Sequence, residues 1–106
     1  MAEDEKAGGK PEKETEPESA ESVVLPIDGI LDLHAFRPRD VKDLLTEYIA
    51  ACRQRGIFQV RVIHGKGTGE MRRAVRAYLK KIPGVVGVRT APEIEGGWGA
   101  TIVFLS

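Results

Sequence analysis

Apolar side chains switch between two spacings along residues 30–105, and this alternation narrows the possible folds to a few. Ile30, Leu31 and Leu33 lie in a short apolar run that reads as a strand ending at His34. Val41, Leu44, Leu45, Tyr48, Ile49 and Cys52 then recur at helical spacing, with Pro38 suited to the first turn and Gly56 to the stop. Phe58, Val60, Val62 and Ile63 form a second strand that runs into His64. After Gly65-Lys66-Gly67-Thr68-Gly69 comes a second helical stripe of Met71, Val75, Tyr78, Leu79 and Ile82, with Lys80 and Lys81 in its last turn and Pro83-Gly84 ending it. Val85, Val86 and Val88 open a third strand, and Ala100 to Leu105 form a fourth.

The order is therefore β-α-β-α-β-β. Strands alternating with helices imply crossovers and a sheet covered by helices. The last two strands have only a short turn-rich segment between them, which predicts an antiparallel pair. The expected fold is a small two-layer α/β sandwich with a mixed four-stranded sheet and two helices. Cys52, on the apolar stripe of the first helix, is expected to be buried.

Residues 1–22 break the pattern. They hold eight acids against three lysines, a net of −5, with almost no large apolar side chain. Such a segment cannot bury enough surface to offset its ordering entropy, so a disordered acidic tail is expected, followed by one domain over 23–106. The formal charge of zero over 106 residues thus hides a domain of net +5. That asymmetry suits an anionic partner; a solubilising tail on an ordinary charged surface would give the same numbers.

No apolar run approaches the roughly 20 residues of a membrane span. The opening Met-Ala-Glu-Asp-Glu lacks the basic and apolar regions of a secretory signal. One cysteine makes no internal disulfide, and one Cys with two His is too few for a typical structural zinc site. A cytoplasmic, monomeric domain without a membrane partner is expected. No cofactor is implied, and a magnesium requirement is left open.

Open α/β sheets place their sites at the carboxyl ends of parallel strands. Both histidines of the chain stand there, in Leu31-Asp32-Leu33-His34 and Ile63-His64-Gly65-Lys66-Gly67. Asp32 and His34 are two apart on a strand and share a face, so the carboxylate can fix the tautomer of the imidazole. The competing reading is a turn cap at Asp32 and a packed His34. In Gly65, Lys66, Gly67, Thr68 and Gly69, the glycines let backbone N–H groups approach an anion, and Lys66 adds a charge. Neither the Walker pattern nor the dinucleotide fingerprint fits, because Gly67 follows Lys66 and Glu70 stands where a glycine is needed.

Arg72, Arg76 and Lys80 recur every four residues on the second helix, with Arg73 alongside; they read either as an anion-binding stripe or as a solvated face. Arg37 and Arg39 border the same edge. Trp98, flanked by Gly96, Gly97 and Gly99, can stack on a base or cover the sheet edge.

Three blocks in this order, Leu31-Asp32-Leu33-His34, Ile63-His64-Gly65-Lys66-Gly67 and Gly96-Gly97-Trp98-Gly99-Ala100, resemble the Smr (small MutS-related) domain. The resemblance covers residues 27–105 and suggests a stand-alone bacterial member. It implies a two-layer sandwich like the C-terminal domain of a bacterial translation initiation factor. It also implies an endonuclease acting on RNA or structured DNA, in some members on ribosomes. Asp32 and His34 fall on the family motif implicated in cleavage; His64, Gly65, Lys66 and Gly67 fall on the loop implicated in nucleic-acid binding and activity. Ala35 stands where the family usually has glycine.

Two readings follow. In the first, His34 oriented by Asp32 is the general base, His64 the opposing acid, and Lys66 with the loop amides stabilises the transition state. In the second, the same basic edge binds nucleic acid or a ribosome and cuts nothing.

Overall fold

The computed structural model describes residues 25–106, and the acidic segment expected over 1–22 lies outside the described residues. Strand β1 (Ile30–Asp32), helix α1 (Pro38–Gln54), β2 (Gln59–Ile63), α2 (Glu70–Leu79), β3 (Val85–Thr90) and β4 (Ala100–Leu105) follow in the expected order. They form one mixed sheet ordered β1-β2-β4-β3. β1 and β2 pair in parallel, and β4 is inserted antiparallel between β2 and β3. Each helix returns the chain to its starting side, so β1, β2 and β3 run one way. Only two short 3-10 turns, Glu93–Glu95 and Gly97–Gly99, precede β4, which therefore runs back.

Both helices pack on one face of the sheet. Val41, Leu44, Leu45, Ile49 and Cys52 of α1 and Val75 and Leu79 of α2 meet Leu31, Leu33, Val60, Val62, Val103 and Leu105 in a single core. Fully burying an aliphatic side chain of this size contributes about 1.5–3 kcal/mol. Cys52 is buried as expected. The Tyr48 hydroxyl accepts the Gly29 N–H at 3.1 Å and lies 3.2 Å from the Ile30 carbonyl, which ties α1 to the start of β1. Among the described residues the opposite face carries no α-helix. A smaller cluster of Ala91, Ala100 and Ile102, with Ile63 and Phe104 against it, lies there, and Ile30 is exposed.

β2 begins at Gln59 rather than Phe58, and two further boundaries differ from expectation. β1 ends at Asp32 rather than His34, because Leu33 to Phe36 form a tight turn closed by Phe36 N–H to Leu33 O at 3.0 Å. His34 and Ala35 occupy the two central positions of that turn. Helix α2 ends at Leu79, so Lys80 and Lys81 fall beyond its last turn. Lys81 and Ile82 donate to carbonyls three residues back, which tightens the chain ahead of Pro83. Ile82 is still buried.

Candidate nucleic-acid interface and cleavage site

Parallel pairing of β1 and β2, extended by Leu33 N–H to Ile63 O at 2.9 Å, brings the ends of both strands to one edge. Asp32 and His34 meet there. The Asp32 Oδ1 accepts the His34 backbone N–H at 2.9 Å and lies 2.6 Å from His34 Nδ1. The turn thus holds the imidazole with Nδ1 toward a carboxylate, and Nε2 has no hydrogen-bond partner among the described residues. The backbone hydrogen bond from His34, with the imidazole contact adding to it, lowers the Asp32 carboxyl from its ordinary 3.8. Both side chains are exposed to solvent.

His34 Nε2 looks toward Gly65: a Cβ built on that glycine would stand 3.6 Å from the nitrogen. Gly65, Gly67 and Gly69 all have left-handed φ, at 81°, 45° and 89°. This backbone is open to glycine at low cost and closed to most side chains. It wraps Lys66 and Thr68 into an exposed loop ahead of α2, where the Thr68 hydroxyl lies 3.4 Å from the Glu70 N–H. Between this loop, the start of α1 at Pro38 and the Met71, Ala74 and Tyr78 face of α2 lies a cavity of about 370 Å³.

The third block closes the edge from the other side. The Gly99 carbonyl accepts both the His64 and the Gly65 N–H, at 3.0 and 2.9 Å. A Cβ on Gly99 would stand 3.5 Å from Lys66 N, so the Gly96–Gly99 turn lies directly against the loop. All three sequence blocks therefore converge on Gly65.

His64 reaches the edge but turns inward. Its Nδ1 lies 2.8 Å from the Gly65 carbonyl, which can only accept, so that nitrogen carries the proton. Its Nε2, 2.9 Å from Thr101 Oγ1, is then the acceptor of the hydroxyl. Burial lowers the His64 pKa from the ordinary 6.5, and the nearby Arg72 and Arg76 charges lower it further. The neutral ring is favoured in the folded state while the unfolded chain binds the proton more readily. Stability contributed by neutral His64 is therefore complete above about pH 6.5 and lost as pH falls through that value toward the lower folded one. We expect the thermal midpoint to fall between pH 7.5 and 5.5, and His64→Gln to flatten that slope; thermal scans across the range check both.

The basic residues divide into two groups. Arg72 and Arg76 turn toward β3, where their Nη2 atoms donate to Thr90 Oγ1 at 2.8 and 3.1 Å. Among the described residues no carboxylate pairs with either, and both Nε atoms are buried without a partner. Arg72 also lies over the Trp98 ring, 3.7 Å from its centroid. Arg73 is exposed on the same helix. Arg37 and Arg39 stand exposed at the start of α1, and no hydrogen bond or ion pair among the described residues joins them to the dyad. Sequence reasoning missed Thr90 and Thr101, which anchor the arginines and His64. For Thr101 the signal was a threonine between the apolar Ala100 and Ile102 in a strand; Thr90, beside Arg89, gave none.

A family model for the Smr domain matches residues 31–106. The chain belongs to the Smr domain family. The Smr domain of Thermus thermophilus MutS2 superposes with a TM-score of 0.69 at 32% identity, covering 74% of this chain and 99% of that one. A stand-alone small MutS-related protein from Escherichia coli, YdaL, gives 0.64 at 27% identity, covering 80% and 70%. Endonuclease MutS2 of a Listeria monocytogenes serotype 4a strain is 38% identical over 94 residues, 89% of this chain and 12% of that protein. Endonuclease MutS2 of Carboxydothermus hydrogenoformans is 35% identical over 75 residues, 71% and 10%. The chain thus spans about a tenth of the curated relatives it matches. The two-layer sandwich with its mixed four-stranded sheet is the Smr domain fold. Among the described residues no helix is long and apolar enough to cross a membrane.

Proposed function

We propose that this Smr domain binds nucleic acid and cuts its phosphodiester backbone at the edge formed by the three blocks. The observation that carries the reading is the Asp32–His34 pair with its free Nε2 beside Gly65. A base needs a lone pair at an accessible atom, and Nε2 of this exposed ring offers one while Nδ1 holds the proton. Nε2 takes the proton of a 2′-hydroxyl or a water as that oxygen forms its bond to phosphorus. The bond from phosphorus to the leaving ribose oxygen breaks, and that oxygen takes a proton from solvent. Lys66 and the amides of residues 65–69 stabilise the added charge on the phosphoryl oxygens. Kinship with the Smr domains of proteins named endonucleases supports this assignment.

The reading gives His64 a different part from that of opposing acid. With both ring nitrogens bonded inside the domain, it fixes the Gly65 carbonyl and Thr101 and so positions the loop. Asp32 is likewise a positioning residue.

The test incubates the purified chain with labelled single-stranded RNA and with nicked and branched DNA, in chelator and in magnesium, beside His34→Ala. Cleavage by the parent that falls at least a hundredfold in the variant is expected, about the share a general base contributes. Retardation that weakens with salt, without any product, would make the domain a binding module and overturn the catalytic assignment.

A further inference from the structure

Trp98 is the single tryptophan of the chain. The Arg72 guanidinium closes one face of its ring, yet the side chain is 52% exposed. What remains open is therefore the opposite face and the ring edge. An indole that merely covered a sheet edge would lie against apolar neighbours, whereas this one rests on a cation. The cation is fixed from behind by Thr90 Oγ1 at 2.8 Å.

The backbone of Trp98 is held as firmly. Gly97 N–H donates to Pro92 O at 2.9 Å, Gly99 N–H donates to Gly96 O at 3.0 Å, and Gly99 O receives the His64 and Gly65 amides. Little ordering cost is left for a ligand to meet when it stacks on a ring already fixed in place. The residue after the ring, Gly99, stands beside the glycine loop. A Cβ on Gly99 would stand 3.5 Å from Lys66 N, and one on Gly65 would stand 3.6 Å from His34 Nε2.

The geometry points to Trp98 as a stacking platform for one unpaired base, next to the phosphate held by the glycine loop. It follows that the substrate class is single-stranded or locally opened nucleic acid. The inference rests on the nucleic-acid reading of this edge and adds which form of nucleic acid fits it. Bases inside an intact duplex have both ring faces occupied by their neighbours; only a splayed or unpaired base can offer one to an indole. Stacking on a ring reads no sequence and no sugar, so RNA and DNA strands share this chemistry.

Because no other tryptophan is present, the emission of the protein reports on Trp98 itself. The full chain is titrated at low salt with uridine and thymidine 12-mers and with a blunt duplex, following both emission and the anisotropy of labelled strands. The single strands are expected to quench the emission and the duplex to leave it unchanged. Trp98→Ala should weaken single-strand binding by about tenfold or more, and Trp98→Phe should keep most of it. Single strands that bind without quenching would overturn the platform while leaving the nucleic-acid reading intact. So would an alanine variant that binds like the parent, or a duplex that quenches equally. Absence of binding to every probe at low salt would instead overturn the underlying reading and this one with it.

Discussion

Asp32→Asn is expected to cleave about 10²–10⁴-fold more slowly than the parent while keeping its fold and most of its affinity for nucleic acid. The asparagine has the same shape, and its amide oxygen can still accept the His34 backbone N–H that the carboxylate accepts at 2.9 Å. The turn is therefore kept. What changes is the partner of Nδ1. A carboxylate 2.6 Å away can only accept and holds the proton on Nδ1; a side-chain amide can also present its NH₂ there. Nδ1 then becomes the acceptor, the proton moves to Nε2, and the nitrogen beside Gly65 loses its lone pair.

Titration of Asp32 itself should add no pH dependence to the parent between pH 5 and 8. The Asp32 carboxyl is held below its ordinary 3.8, so any stabilisation from its charge is present above that value and lost only as pH falls through the lower one. Single-turnover cleavage of a labelled strand measures the rate, and the split between kcat and KM separates positioning from binding. A variant within a few-fold of the parent would make Asp32 a turn cap and nothing more.

Most of the fold was legible because each element carries its own period. The stripe from Val41 to Cys52 and the run from Val60 to Ile63 name their structures by spacing alone, and the three motif blocks mark the strand ends that meet. Pairing between β2 and β4 was less visible, since it joins residues about 40 apart. Yet Ala100-Thr101-Ile102-Val103-Phe104-Leu105 alternates poorly and reads apolar on both faces, as a strand buried on both faces does. The inward turn of His64 was illegible for a different reason. It depends on Thr101, 37 residues away, which strand pairing places beneath the ring. Likewise, a helical stripe of arginines gives no sign that Arg72 and Arg76 turn toward Thr90 and Trp98 rather than toward water. Local sequence fixes which side chains share a face; only the sheet decides what that face meets.

That distinction also sets where stability resides. Leu45 is 0% exposed in the core between α1 and the sheet, whereas Ile30 is 46% exposed on the face without helices. Leu45→Ala removes buried methyl groups and leaves a cavity that close-packed neighbours fill only in part, at a cost of about 2–5 kcal/mol. Against a typical total of about 5–15 kcal/mol this is a large share, and it should lower the thermal midpoint by about 10–25 °C. Ile30→Ala removes comparable volume from a site already open to water and should cost less than about 1 kcal/mol. Chemical denaturation of the two variants beside the parent measures both. Similar losses would mean that the helix-free face is covered as fully as the other, and the two-layer account would be wrong. A large loss confined to Leu45 would place the main core between the helices and the sheet and leave the edge around His34 supported by hydrogen bonds at Gly65 and Gly99.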